Sequence, residues 1–194
     1  MPQPQFYSLV PSAFGALGLV WQDGKAGARV QRVLLPGEGA PAEGLFGPAC
    51  AAIQARSCPA IDELAERLQR FLAGEAVAFS LEAVALDSCS PFQRRVLLAE
   101  HGVPWGWVTT YGCLARHLGV AGGARAVGNA LARNPFPILI PCHRAIRGNG
   151  ALGGFRGGLA MKRALLEMEG VEFTAEGRVL AQRIYYQAVV LQRR

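Results

Sequence analysis

Apolar residues along the first part of the chain recur with a period of two. Between residues 6 and 35 the stretch Leu17-Gly-Leu-Val-Trp21 and the alternating run 28–35 read as strands, and Asp23-Gly24 between them is a turn pair, which predicts a hairpin or short meander. Residues 36–48 are dense in Pro and Gly and read as a loop. The period then changes. Ile61, Leu64, Leu68, Phe71 and Leu72 fall at helical spacing, with acidic residues early and Gly74 past the end, so an amphipathic helix is predicted over 62–73. Residues 77–86 fit one more strand.

From Ser90 the pattern is helical. Ser90 is placed to cap a helix with Pro91 in its first turn, Phe92, Val96 and Leu97 supply an apolar face, and Gly102 stops it. A second helix is predicted over 110–118, a turn over 119–122 and a third helix over 123–133. Two short helices joined by a glycine-containing turn fit a helix-turn-helix, although most such pairs bind nothing. Residues 171–194 alternate around Glu176-Gly177, which predicts a hairpin.

Composition narrows the class. The chain has 194 residues, 51% of them hydrophobic, with no repeat and no low-complexity tract, enough for one large or two small folded domains. No run approaches the ~18 apolar residues of a membrane span. The N-terminal stretch lacks a basic start and is broken by Pro11, Ser12, Gly15 and Gly18, so no secretory signal is expected and a cytoplasmic location follows. The cysteines (Cys50, Cys58, Cys89, Cys113, Cys142) are odd in number and widely spaced, which suits a reducing compartment; without a Cys-x-x-Cys pair they give no zinc site, and no metal or cofactor is expected. Charge is uneven: residues 1–80 carry 6 Lys+Arg against 7 Asp+Glu, and the remainder carries 14 against 7. An anionic partner such as nucleic acid is one reading of that excess and a solvated basic face is the other.

Two segments carry candidate chemistry. In Gly123-Ala-Arg-Ala-Val-Gly-Asn-Ala-Leu-Ala-Arg133, Gly and Ala cover much of the helix surface, as in a closely packed helix or in one thin enough to enter a DNA groove with Arg125 replacing something in the base stack. In Asn134-Pro-Phe-Pro-Ile-Leu-Ile-Pro-Cys-His-Arg144 the three prolines exclude a regular helix, and Ile138 to Ile140 reads as a short buried extended run delivering Cys142. A free cysteine is only a few per cent thiolate near neutral pH, so it needs a base or a positive charge; His143 and Arg144 offer both. A buried structural thiol is the competing reading. His101 and His117 read as surface or helix-end residues.

Pro141-Cys-His-Arg144, preceded by Asn134-Pro and followed by Leu152-Gly-Gly-Phe-Arg-Gly-Gly-Leu159 and Lys162, closely resembles the active-site region of the O6-alkylguanine-DNA alkyltransferases, the methylated-DNA-protein-cysteine methyltransferases. The resemblance is dense over 91–170 and looser upstream, at Phe71-Leu-Ala-Gly74. It implies an α+β protein: an N-terminal α/β domain over 1–88 (sheet plus helix, ribonuclease-H-like), a mainly α domain with a helix-turn-helix over 89–170, and an extension over 171–194. The implied activity is irreversible, once-only transfer of an alkyl group from O6-alkylguanine in double-stranded DNA to Cys142 after nucleotide flipping, by a monomer without cofactor.

By the same likeness His143 takes the thiol proton through a water, Glu169 holds His143, and Asn134 bridges the recognition helix to the active segment. Tyr111 hydrogen-bonds the guanine and can protonate it. Arg125 enters the duplex, and Ala124, Ala126 and Gly128 are small because the helix lies in the minor groove. Leu131 and Phe155 form apolar walls, and the backbones of Cys142, Ala145 and Arg156 read the guanine edge. Phe155 stands where many members have tyrosine, and Trp105 where a smaller aromatic or polar residue is common. Two other readings stay open at this point. Alkyltransferase-like relatives only bind the lesion, but they carry tryptophan at the position of Cys142. A Cys/His thiol hydrolase or redox enzyme needs an oxyanion hole or a resolving cysteine, and neither is identifiable.

Overall fold

Leu17, Leu19 and Trp21 alternate along one strand and are fully buried, and they set the first layer of the core. In a computed structural model, which describes residues 4–25, 27–36, 53–180 and 183–187, three antiparallel strands form the expected meander: β1 (Phe6–Val10), β2 (Leu17–Gly24) and β3 (Gly27–Leu34). A two-residue strand, β4 (Gln54–Ala55), adds parallel to β1 and completes the order β3-β2-β1-β4. The loop expected at 36–48 lies, beyond Pro36, outside the described residues. Helix α1 (Pro59–Leu72) packs on β1 and β3 through Ile61, Leu68, Phe71 and Leu72. It starts three residues before the expected boundary because Pro59 occupies the first turn, where its missing N–H costs nothing.

The strand expected at 77–86 is not formed. Only Val84 pairs, as an isolated bridge to Val30, before a 3-10 turn at Leu86–Ser88. The Ser80 hydroxyl accepts the Glu82 N–H at 3.3 Å, bending the chain, so the ladder stops at the two bonds that Val30 makes to Ala83 and Ala85.

The second half is helical. Helix α2 (Pro91–His101) is capped by Ser90, whose hydroxyl accepts the Gln93 N–H, and it stops at Gly102 as expected. A parallel two-residue pair, β5 (Thr109–Thr110) with β6 (Ala145–Ile146), ties the start of α3 (Tyr111–His117) to the segment after Cys142. Thr110 caps α3 through its hydroxyl, and α4 (Ala124–Ala132) follows the glycine turn. Gln93 Nε2 donates to the carbonyls of Ala130 and Arg133 and so locks α2 to the end of α4. Helix α5 (Gly158–Met168) has no counterpart among the expected elements; it buries Met161, Leu165 and Leu166, but also Lys162, which breaks the apolar face on which recognition by pattern depends.

Of the segment 171–194 expected as a hairpin, residues 181–182 and 188–194 lie outside the described residues; around Gly177 the chain does turn back, Phe173 pairing with Val179 as an isolated bridge, and Val171 and Val179 join Val108, Ile146 and Leu166 in a small second core. The main core runs without interruption from the sheet through α1 to the helices and the Cys142 segment. The architecture is mixed α+β. Among the described residues no helix is long and apolar enough to cross a membrane.

Candidate active site

The segment before Cys142 is a turn and not the extended run expected from its composition. Pro137 fixes the entry, Ile138 takes a left-handed conformation at φ 73°, and the Ile140 N–H closes onto the Phe136 carbonyl at 2.9 Å. A β-branched residue there costs on the order of 1–3 kcal/mol. Burial offsets it: Phe136, Ile138, Leu139 and Ile140 are all in the core, each such side chain stabilising by roughly 1.5–3 kcal/mol. Buried Asn134 spans the turn, its Oδ1 accepting from Phe136 N at 2.9 Å and its Nδ2 donating to Ile140 O at 3.1 Å. The same side chain acts on Cys142 in the direction that favours its thiolate. Cys142–Arg144 then forms one 3-10 turn whose three side chains are buried.

Beneath the cysteine, His143 Nε2 lies 2.8 Å from Glu169 Oε1. The carboxylate only accepts, so Nε2 carries the proton and Nδ1 presents its lone pair; Nδ1 is buried with no protein partner. Burial lowers the His143 pKa, against the pull of Glu169, which keeps the imidazole neutral and basic. Burial alone would raise the Glu169 pKa, but the hydrogen bonds from His143 and Arg144, with the guanidinium charge, prevail and hold it below the ordinary carboxylate value. The Arg144 Nε reaches Oε2 at 2.8 Å, one Nη reaches Oε1 at 2.8 Å, and the other donates to Val103 O at 2.6 Å.

Arg144 is therefore committed to Glu169 and is not the cation expected beside the thiol. That charge comes from Lys162, which is fully buried with Nζ donating to Ala145 O at 2.7 Å, and whose field favours the Cys142 thiolate. Burial is the stronger influence and pushes the Cys142 thiol up to about 11, so the resting residue is a thiol awaiting a base.

Cys142, 9% exposed, opens on a cavity of about 370 Å³, within the ~300–1,000 Å³ span of small-molecule sites. Tyr111, Gly128, Leu131, Asn134, Phe155 and Arg156 line it with the cysteine, so these candidates come together. Ala145 does not join the lining: it is paired in β6, and its carbonyl accepts a hydrogen bond from Lys162 Nζ. Burial pushes Tyr111 up to about 12, so its hydroxyl stays a donor. Gly153 is required here, since at φ 72° a β-carbon would stand 2.6 Å from the Tyr111 hydroxyl oxygen.

A larger groove of about 1000 Å³ adjoins, sharing Tyr111 and Gly128 and lined also by Ala124, Arg125, Asn129, Arg116 and Arg147. Ala126 faces elsewhere, into a cleft between α2 and α4. Trp105 packs edge-on to Phe71, ring centres 5.4 Å apart, and Phe71 in turn lies 6.1 Å from His143, so the unusual tryptophan extends the apolar packing behind the histidine. His101 and His117 sit at the ends of α2 and α3 as expected.

Sequence reasoning assigned no part to Lys162, Gly153, Glu100, Arg116 or Arg147. Lys162 and Gly153 stand in the quoted motifs, but a lysine reads as surface until its burial is seen.

Comparison with known proteins gives a consistent picture. Residues 91–171 match the family model described as the DNA binding domain of 6-O-methylguanine DNA methyltransferase. A methylated-DNA-protein-cysteine methyltransferase of Methanothermobacter thermautotrophicus is 43% identical over 117 residues, which is 60% of this chain and 65% of that protein, so the chain aligns with just under two thirds of this curated relative. The crystal structure of the Mycobacterium tuberculosis O6-methylguanine methyltransferase is similar with a TM-score of 0.68 and 32% identity, over 85% of this chain and 92% of that one. A structure of the same organism's protein in complex with DNA gives 0.67 and 31%, over 84% and 92%.

Proposed function

The chain belongs to the 6-O-methylguanine DNA methyltransferase family, and from that premise we propose that it repairs O6-alkylguanine in double-stranded DNA by moving the alkyl group onto Cys142, once per molecule. The observation that carries this reading is a cysteine at the wall of a purine-sized cavity, backed by a neutral histidine whose tautomer is set by Glu169.

The cysteine sulfur attacks the alkyl carbon; a C–S bond forms as the C–O6 bond breaks. The thiol proton passes, through a bridging water, to His143 Nδ1, the unpartnered lone pair. Glu169 stabilises the imidazolium that results, in the manner of a nucleophile, base and orienter set. Tyr111 donates a hydrogen bond to the guanine as negative charge develops on it; a hydroxyl held at about 12 favours that role over full release of its proton. The proton lost by the thiol ends on the departing guanine, which balances the reaction without a cofactor.

The pair α3 and α4 is read as a helix-turn-helix whose small-residue helix lies in the minor groove, with Ala124 and Gly128 allowing close approach and Arg125 filling the stack vacated by the flipped nucleotide, whereas Ala126, expected to share that part, lines the cleft between α2 and α4. Arg125 is exposed at the rim of the groove that adjoins the cavity. The order β3-β2-β1-β4 with β4 parallel to β1 supports the ribonuclease-H-like reading of residues 1–88, leaving 89–170 for DNA and chemistry. The unpaired thiols of Cys58, Cys89, Cys113 and Cys142 suit the cytoplasm, and a monomer is the state assigned. Cys142 itself, where lesion-binding relatives carry tryptophan, separates this reading from binding alone.

The test is an intact-mass measurement after incubation with a duplex containing O6-methylguanine. A single methyl addition is expected, mapped to Cys142 and absent from Cys142→Ala; an unmodified wild type overturns the proposal. Arg125→Ala is expected to slow transfer more than it weakens binding at low salt, because phosphate contacts supply most non-specific affinity. Equal transfer by wild type and Arg125→Ala removes the intercalating role.

A further inference from the structure

Residues 183–187 lie beyond the matched domain and beyond every role assigned above. Their position is nevertheless tightly set. The Val108 N–H donates to Arg183 O at 3.1 Å, the Tyr185 N–H donates to Val108 O at 2.7 Å, and the Thr109 hydroxyl donates to Tyr185 O at 3.0 Å, so the segment runs as an extra rung beside the strand that leads into α3. Two rings anchor it further. Tyr186 stacks on His117 at the end of α3, centroids 3.8 Å apart, and donates its hydroxyl to Ala99 O at 3.0 Å; Tyr185 meets Trp107 edge-on at 6.0 Å. So anchored, the segment contributes Ile184 and Gln187 to the lining of the large groove, together with Arg116, Arg125 and Arg147.

A groove lined by three arginines selects an anion, and it adjoins the cavity of Cys142 through the shared Tyr111. An apolar residue and a neutral amide on the remaining wall suit a chain of sugars and phosphates: the isoleucine packs against deoxyribose, and the amide donates to a phosphate oxygen without adding charge. We propose that the segment 183–187 forms part of the DNA-binding face, with Ile184 and Gln187 holding the sugar-phosphate backbone of the duplex alongside α3. This rests on the repair reading above. It adds to that reading a contact surface outside the helix pair.

The full-length protein is titrated with an unmodified fluorescent duplex at several salt concentrations. Gln187→Lys brings one further cation to the backbone, so it is expected to tighten binding several-fold at low salt and to steepen the plot of log affinity against log salt by about one. Gln187→Glu is expected to weaken binding. Glu66→Gln, on exposed α1 away from the groove, changes the net charge by the same amount as Gln187→Lys and serves to separate a local contact from overall charge. A salt slope for Gln187→Lys equal to that of wild type, or a Glu66→Gln slope that moves as far, overturns the proposal. Unfolding midpoints of the variants within a degree or two of wild type exclude misfolding as the cause of a change. Failure of the wild type to bind the duplex at all sinks the repair reading and this inference together, and is distinguished from failure of the segment alone, in which wild type binds and the variants match it.

Discussion

Glu169 at the end of α5 and Glu100 in the last turn of α2 are both buried near Cys142, yet their surroundings differ completely. Every direction around Glu169 is occupied by a donor: His143, the guanidinium of Arg144 and, at 3.4 Å, the N–H of Gly106. Glu100 has no hydrogen-bond partner on either oxygen. Burial accordingly pushes Glu100 up to about 8, against the milder pull of Lys162 and Arg144, and it is protonated at neutral pH. A carboxyl group taken out of water stays charged only where hydrogen bonds and opposite charge replace the water. The region under His143 thus holds a fixed negative charge that orients a base. The inner face of α2 holds a neutral acid, which leaves the charge of Lys162 free to act on Cys142.

The sharpest way to break this comparison is to neutralise each glutamate in turn. Glu169→Gln leaves the Arg144 guanidinium buried without a counter-charge, for which a loss of ~3–5 kcal/mol is expected in urea unfolding. It also removes the group that orients His143 and stabilises its cation, so single-turnover transfer is expected to slow ~100-fold or more. Glu100→Gln replaces one neutral polar side chain by another at pH 6 and is expected to cost less than about 1 kcal/mol. Equal losses from the two variants contradict the assignment of one charged and one neutral carboxyl.

A pH series sharpens it further. The Glu100 pKa is higher in the folded state, about 8, than the ordinary 4.5 of the unfolded chain. Between these values the native state binds the extra proton, so stability falls as pH rises, at up to ~1.4 kcal/mol per pH unit from this one group. Lys162 has the opposite sign: its pKa is lowered by burial from 10.5 to about 8, so its contribution recovers as pH rises from 8 towards 10.5. Glu169, lowered, contributes stability that is present above 4.5 and lost only in acid. Wild type is therefore expected to lose stability between pH 4.5 and 8 relative to Glu100→Gln, which lacks that slope. Parallel curves for the two proteins in urea titrations across this window refute the protonated state of Glu100.

The contrast also explains what was legible in the sequence. Glu169 follows the motif at a recognisable distance, and the hairpins, α1 to α4 and the cysteine with its histidine each announced themselves by period, cap or neighbour. Glu100 looks like any polar residue on an amphipathic helix, and Lys162 like any surface lysine, because nothing local records burial. The same limit produced the two errors of local structure. Ile138 to Ile140 has strand composition but bends at a left-handed isoleucine that only tertiary burial sustains, and residues 77–86 have strand character that one serine turn and a single available rung reduce to a bridge. Helix α5 was obscured for a related reason: its buried face includes the lysine that the site uses.

Lys162 connects the two regions, and removing its charge is the smallest change with a diagnostic outcome. Lys162→Met forfeits the hydrogen bond to Ala145 O, worth ~1 kcal/mol, but also the penalty of burying an ammonium, so the net stability change at pH 7 is expected to be within about 1 kcal/mol. Its effect on chemistry has a definite sign. Without that positive charge the Cys142 thiolate loses a stabilising neighbour and His143 loses one of the charges that lower its pKa, while its hydrogen bond to Glu169 remains, so the rising limb of the pH profile of transfer is expected to move to higher pH with the plateau retained. Lys162→Arg, which keeps the charge, should leave the limb closer to wild type wherever the larger head fits. A limb that stays in place in Lys162→Met shows that the thiol answers to the histidine alone, and that the neutral carboxyl on α2 has no bearing on reactivity.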